Sequence, residues 1–479
     1  MTTELWRLGA SELADGIRAR HFSSREVVQA HLDRIEAVNG KVNAVTAVLH
    51  DTALEAADAA DRAVASGQDL GPLHGVPITV KENIDLLGSA TTHGIVALKG
   101  LMPPADNPFI AQVKAAGAIP IGRTNLPEFG MDWHTDNALH GPTLNPWDAT
   151  RTPGGSSGGE AAALATGMTP LGFGNDYGGS LRWPSQCCGT AAIKPTLGRV
   201  PSFYSTASAE VSFITQLMAV NGPMARHARD LRLALSVMCG SDARCTWWVP
   251  APLAVERDPL RPRRAALTIN PMGHSVDADV EAGLRTAARA LAAAGYDVEE
   301  VDLPGVAETR RLQHYLLITD YLTGLFEDTK HLLRPSLRQG IEAFLASTPA
   351  PDLAGFNHAL ADRSTHLRRW NLLFSQFDVV LGPVNTQQPF KVESYYSGEL
   401  EALQLEADLA LTVTCNVLGL PAAVVPVGVA NGLPQAVQII GARYAEYTCL
   451  DAAEAIEAAL GTVTPIDPFL ERKGLPVGP

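Results

Sequence analysis

The chain has 479 residues, 37 of them Lys or Arg and 51 Asp or Glu, for a formal charge of −14 with histidine neutral. An acidic surface repels phosphate backbones and anionic headgroups, and no local basic patch offsets it, which excludes nucleic-acid and membrane-surface binding as expectations. With 46% apolar and 18% charged residues there is material for a large buried core. The apolar stretches Leu420 to Val429 and Ala111 to Ile121 are interrupted well short of the roughly 20 residues a spanning helix needs. Met1 to Arg7 shows no leader-like apolar run, which predicts a cytoplasmic protein. The 6 cysteines form no C-x-x-C pair, Cys187 and Cys188 being adjacent, so a reduced compartment fits and neither a zinc knuckle nor a disulfide framework is expected.

The first 65 residues read as helices. Ser23 with Glu26 makes a capping box, and Val27, Leu32, Ile35 and Val38 follow at roughly helical spacing. From about Leu73, short apolar runs alternate with helix-like segments: Val76 to Val80, Phe109 to Ala116, Ile119 to Ile121 and Glu160 to Thr166. Such alternation predicts a sheet covered by helices. Leu171 to Gly174 reads as a short strand. Val280 to Ala293 and Glu308 to Ser347 return to helix, with Tyr315, Tyr321 and Phe326 among the apolar positions. Leu420 to Val427 and Ala436 to Ile440 predict two buried strands joined through the turn dipeptide Asn431-Gly432. No long polar linker separates these parts. The expectation is therefore one α/β domain over 1–479, with helices in 1–65, a core in 66–240, a helical insertion in 241–400, and core-completing strands and a helix in 401–479.

Three segments hold the chemistry. In Pro153-Gly154-Gly155-Ser156-Ser157-Gly158-Gly159-Glu160, a loop of glycines and serines feeds the helix-favouring run Ala161 to Thr166. Unsatisfied amides and a positive dipole at that helix start would favour anionic oxygens, on a phosphate or on a developing oxyanion. Against phosphate, Glu160 stands where a P-loop places lysine, and no strand precedes Pro153. Gly154-x-Ser156-x-Gly158 also matches a nucleophile elbow, but Asn145 to Pro153 is turn-rich where that elbow needs a strand. A flexible linker is the bland alternative.

Gly174-Asn175-Asp176-Tyr177-Gly178-Gly179-Ser180-Leu181-Arg182 repeats the Gly-Gly-Ser device, with Ser180 arriving 24 residues after Ser156. A tight turn there would aim amides one way, suiting a carbonyl oxygen gaining charge, although a lone Gly-Gly-Ser is ordinarily only a turn. In Gly75 to Asp85, period-2 alternation places Lys81 on the face opposite Val76, Ile78 and Val80. Either this lysine is solvated at a strand end, or it is buried, loses its proton and serves as base for a serine. His134 and His140, near Trp133, are the histidine alternatives for a Ser-His-Asp triad, but no spacing ties either to a serine.

Together these segments resemble the amidase signature family. The residues that carry the resemblance are Gly75-Val76-Pro77 with Lys81, Gly154 to Gly159, and Asp176-x-Gly178-Gly179-Ser180-x-Arg182. It continues in Gly122-x-Thr124-Asn125-x-x-Glu128-Phe129, Gly141-Pro142-Thr143-x-Asn145-Pro146-Trp147, Lys194-Pro195-Thr196-x-Gly198-Arg199, Gly419-Leu420-Pro421-Ala422 and Gly432-Leu433-Pro434. The resemblance implies a large mixed β-sheet sandwiched between layers of α-helices. It implies Ser180 as nucleophile, Ser156, entered by a cis peptide bond, as proton relay, and Lys81 as base. The backbone N–H groups of Tyr177, Gly178, Gly179 and Ser180 would form the oxyanion hole. Ser157, Asp176, Arg182, Trp133 and His134 are further candidates for binding substrate or organising the site, Asp176 and Arg182 through charge-assisted hydrogen bonds.

Family members commonly carry threonine before that aspartate and threonine or isoleucine after it, whereas Asn175 and Tyr177 flank Asp176 here. Asp132-Trp133-His134-Thr135 stands where the A subunit of the tRNA-dependent amidotransferase often has small polar residues, and this aromatic wall points to an apolar or aryl substrate. The activity implied is hydrolysis of a carboxylic amide to carboxylate and amine or ammonia through a seryl acyl-enzyme, with no cofactor and no metal. The expected partner is a small-molecule amide, with a homodimer left open. Two alternatives stay in play: the A subunit of the glutamine-dependent tRNA amidotransferase, and a hydrolase of urea-like or carbamate bonds.

Overall fold

The computed structural model describes residues 4–254, 261–346, 351–396 and 402–469. Ser347, the last residue of the helix-rich stretch expected from Glu308, and the outer ends of the 1–65 and 401–479 segments lie outside the described residues. Helix Ser24–Val42 starts where the capping box places it. Ser23 Oγ accepts from the Glu26 N–H at 3.1 Å, and the Glu26 carboxylate accepts from the Ser23 N–H at 2.7 Å, an arrangement worth about 1 kcal/mol. Its Val27, Val28, Leu32, Ile35 and Val38 are buried.

The strands are β1 (Val45–Val48), β2 (Pro77–Lys81), β3 (Ile119–Thr124), β4 (Leu171–Asp176), β5 (Ala191–Lys194), β6 (Val220–Ala225), β7 (Arg263–Leu267), β8 (Tyr296–Glu300), β9 (Val379–Gly382), β10 (Ala422–Ala430) and β11 (Leu433–Gly441). Among the described residues they form one 11-stranded sheet in the order β1-β3-β2-β4-β6-β5-β10-β11-β9-β7-β8. The sheet is mixed. β2 runs parallel to β3 and β4, the β4-β6-β5-β10-β11-β9 series is antiparallel, and β9-β7-β8 is parallel again. Helices cover it, which makes the fold α/β with a large mixed sheet.

A strand with parallel neighbours on both sides is buried on both faces, and all of β2 is buried. Ile78 and Val80 join the core that holds Phe109, Ile110 and Phe173. Thr79 and Lys81 consequently point the other way, toward helix Gly158–Ala165, where both make hydrogen bonds outside the apolar core. The β10–β11 hairpin turns at Asn431 and Gly432, both at positive φ (49° and 79°), as a two-residue turn between right-twisted strands requires.

The sequence expectation of helices alone in 1–65 is corrected by β1, an edge strand of four residues antiparallel to β3. The stretch 241–400, expected as a helical insertion, also supplies β7, β8 and β9 to the same sheet. Edge strand β8 reads Tyr296-Asp297-Val298-Glu299-Glu300 and is largely exposed; charges blunt a sheet edge and also remove the alternation by which a strand is recognised. Among the described residues no helix is long and apolar enough to cross a membrane.

Candidate active site

Parallel pairing sets the site's location. Val80 of β2 lies in register with Phe173 of β4, so Lys81 and the Asn175–Asp176 pair emerge together at the carboxyl ends of adjacent parallel strands, where open α/β sheets bind ligands. The Gly-Ser loop crosses this edge before entering helix Gly158–Ala165, and the Ser157 N–H donates to Ser180 O at 3.2 Å, tying the two serine segments together. A Cβ on Gly155 would fall 2.6 Å from the carbonyl oxygen of Asp132, so only glycine lets the loop lie against the Trp133 segment. The peptide bond between Gly155 and Ser156 is cis.

Lys81 is fully buried, Ser156 nearly so, and Ser180 is 7% exposed. Lys81 Nζ lies 2.6 Å from Ser156 Oγ and donates to Asn175 Oδ1 at 2.8 Å. Asn175 is in turn held by its side-chain N–H to Asn83 Oδ1 at 3.0 Å. Burial pulls the Lys81 pKa down to about 7 against the opposing pull of Asp176 and Glu160. Near neutral pH, then, a large share of this amine is uncharged and able to accept a proton. Glu160, on the helix side, accepts from the hydroxyls of Thr79 and of Thr124, the latter at 2.7 Å, and burial pushes its carboxyl up to about 7.

Asp176 builds the turn that carries Ser180. Its carboxylate accepts from the N–H groups of Gly179 (2.8 Å) and Leu181 (3.1 Å) and from Arg182 Nε and Nη2 (3.0 and 2.9 Å). Burial would raise this carboxyl, but Arg182 outweighs it and holds Asp176 well below the ordinary carboxylate range. Arg182 spends its remaining donors on Thr412 O, Gln438 Oε1 and Asn416 Oδ1. Both residues organise the turn and neither lines the cavity. Gly179 sits at φ 104°, a conformation glycine adopts without cost. Its N–H donates to Asp176 at 2.8 Å, so of the four amides expected to receive an oxyanion this one already has an acceptor.

Ser180 opens onto a cavity of about 380 Å³ whose walls include Met131, Trp133, Tyr177, Leu317, Tyr321, Ile341 and Phe344. Trp133 is both wall and brace, its indole N–H donating to Gly178 O at 3.0 Å. The Tyr177 ring lines the cavity while its hydroxyl leaves the turn and donates to Asp320 at 2.9 Å, so its bulk does not fill the turn. Two candidates are corrected. His134 does not line the cavity; it packs behind Phe390 and Tyr395 with Nδ1 3.0 Å from Thr152 Oγ1, and burial pulls its pKa down to about 4. Ser157 is fully buried with its hydroxyl against Gly174 of β4, too deep to reach a ligand. His140 pairs with Glu82 at 2.8 Å, away from either serine.

Sequence reasoning passed over Asn175 and Asn83 as partners of the lysine. The signal was present: Asn83 lies two positions after Lys81, and an amide side chain stands at 175 where the resemblance leads one to expect threonine. The phosphate alternative loses its donors, since the first amides of helix Gly158–Ala165 go to Thr135 Oγ1 (3.1 Å) and Asn125 O (3.2 Å). Among the described residues no group of His, Cys, Asp and Glu side chains is placed to hold a metal ion.

Comparison with known proteins identifies the family. It is 43% identical over 460 residues to an indoleacetamide hydrolase of Bradyrhizobium diazoefficiens, covering 96% of this chain and 88% of that protein. It is 35% identical over 489 residues to the A subunit of a glutamyl-tRNA(Gln) amidotransferase of Anaeromyxobacter sp. (strain K), covering 96% of this chain and 97% of that one. It superposes on the solved structure of a bacterial aryl acylamidase of the amidase signature family with a TM-score of 0.80 at 27% identity, covering 94% of this chain and 96% of that chain. The amidase family model matches residues 26–450. The chain belongs to the amidase signature family and is an amidohydrolase acting on amide C–N bonds.

Proposed function

We propose that this amidase hydrolyses arylacetamide-type substrates, of which indoleacetamide is the model, with Ser180 as nucleophile, Ser156 as relay and Lys81 as base. One observation carries the reading: a buried Lys81 amine, 2.6 Å from Ser156 Oγ, at the foot of an aromatic cavity onto which Ser180 opens. Asn175 takes one N–H of that amine, which turns its lone pair toward Ser156. Lys81 accepts the Ser156 proton as Ser156 accepts that of Ser180, and the Ser180 oxygen attacks the carbonyl carbon. The amides of Tyr177, Gly178 and Ser180 stabilise the oxyanion, at about 3 kcal/mol for a well-placed donor. The proton returns through Ser156 to the leaving nitrogen, ammonia departs, and water attacks the acyl-enzyme by the same relay to release the carboxylate.

The amidotransferase alternative has less support. Glutamine presents a carboxylate that needs a cation, and Arg334, in the cavity wall, is already paired with Asp136 at 2.5 Å and Asp132 at 3.8 Å. A cytoplasmic setting is supported by the six cysteines, all free. The test is ammonia release by the purified chain alone from indole-3-acetamide, phenylacetamide, glutamine, an aryl urea and an aryl carbamate. Turnover of the arylacetamides at least about 100-fold above glutamine is expected. Turnover of glutamine or of the urea and carbamate alone would overturn the reading.

A further inference from the structure

Helix Val306–Thr323 presents Gln313, Leu317 and Tyr321 to the cavity, one turn apart on one face. Leu317 and Tyr321 suit an aromatic acyl group. Gln313 breaks that apolar stripe: it is 1% exposed, and its Oε1 is buried with no hydrogen-bond donor among the described residues. A buried acceptor left without a donor is costly and uncommon, and one on a side chain that lines a ligand cavity points to a donor that the ligand brings. The charged side chains of the wall are already paired. Glu406 accepts from Arg310 at 2.7 Å and pairs with His314 at 2.9 Å, Arg334 pairs with Asp136 at 2.5 Å, and the Asp132 carboxylate accepts from the Tyr395 hydroxyl at 2.5 Å. Their carboxylates make the wall a place for donors and a poor one for an anionic acyl group.

The helix is also held at a fixed offset from the chemistry. Asp320, two turns beyond Gln313, accepts from Tyr177 of the oxyanion turn at 2.9 Å and from Thr215 at 2.8 Å. Gln313 is thus positioned relative to Ser180 by direct bonds and not by a mobile loop.

We propose that Gln313 is a specificity-determining residue whose side-chain amide accepts a hydrogen bond from a ring N–H of the acyl group, so that the cavity selects heteroaryl amides with such a donor over rings of the same shape without one. The proposal rests on the arylacetamide reading above and adds the part of the ring that is recognised. Indole-3-acetamide and benzofuran-3-acetamide, which differ by N–H against O, are the probes. The wild-type kcat/KM is expected to favour the indole by about tenfold or more, because the furan oxygen offers no donor to the buried acceptor. Gln313→Met, near in volume and without an acceptor, and Gln313→Leu are each expected to bring that ratio to within about twofold of one.

A residue that merely supported the fold would lower both substrates together and leave the ratio in place. Equal wild-type turnover of the two amides, or a preference that survives both substitutions, overturns the role of Gln313. Failure of the wild type to hydrolyse either amide overturns the arylacetamide reading instead. A wild-type ratio near one overturns the proposal whatever the variants do, and where one variant melts early by circular dichroism the other reads the role of Gln313.

Discussion

Replacing Asn175 by Asp puts a carboxylate where a neutral amide now accepts from Lys81 Nζ at 2.8 Å. Two unit charges at that separation attract by about 6 kcal/mol at an effective dielectric near 20, or about 4 pKa units. Burial of the new carboxylate returns part of this, so a rise of about 2 units is the lower expectation. Raising the pKa of a lysine keeps it as ammonium to higher pH, and the ammonium cannot take a proton from Ser156. With Lys81 as the proposed base and its pKa about 7, the acid limb of kcat/KM is expected near 7 in the wild type and at about 9 or above in Asn175→Asp. Activity at pH 7 then falls by about 50-fold or more and recovers as pH is raised through the new limb. The assay is ammonia release from indole-3-acetamide between about pH 6 and about pH 10.5, with melting followed in parallel to confirm the fold. A variant that keeps the limb near 7 would remove Lys81 as the group whose ionisation limits the rate.

An alkyl fluorophosphonate should add once to the wild type and not to Ser180→Ala, read by intact mass; an adduct on both proteins would displace Ser180 as nucleophile. Asp176→Asn leaves Arg182 fully buried without its countercharge and should cost about 3–5 kcal/mol, seen as a lower urea midpoint; an unchanged midpoint would contradict the burial of that pair. Because the Asp176 carboxyl is held below its ordinary range, its stabilisation is full above about pH 4 and is lost only as pH falls through the depressed value. Trp133→Phe removes the N–H bond to Gly178 O and should lower kcat by about tenfold with the melting temperature nearly kept; loss expressed only in KM would make Trp133 a wall and not a brace.

Legibility tracked how local the determinant is. The capping box at Ser23 and the Asn431-Gly432 turn depend on a few adjacent residues, and both stand where the sequence places them. The alternation in Gly75 to Asp85 put Lys81 on the face away from Ile78 and Val80, as found. What sequence could not supply was partnership across long separations. Asn416 and Gln438 complete the Arg182 network from more than 230 residues away, and Gln313 reaches the cavity from a helix whose own pattern says only that it packs. β9, a four-residue buried run, carries no period to separate strand from helix. His134 misled for the same reason: nearness to Trp133 in sequence does not fix which side of the chain faces the cavity.

A base at neutral pH requires that nothing nearby restore the charge of Lys81, and two buried acids stand near enough to do so. Each is disarmed differently. Asp176 keeps its charge but spends it on Arg182 at 2.9 Å, so the pair presents little net field to the amine. Glu160 sits among threonine hydroxyls and is itself pushed up to about 7 by burial, so near neutrality it is in part uncharged when the lysine is. The group in contact with Nζ besides Ser156 is Asn175, which accepts a hydrogen bond and brings no charge. Burial can therefore outweigh both acids and hold the lysine near 7. The neutral amide at 175 fits the base role proposed for Lys81: it gives the amine a contact that orients it, whereas a carboxylate in the same place would hold the amine as ammonium.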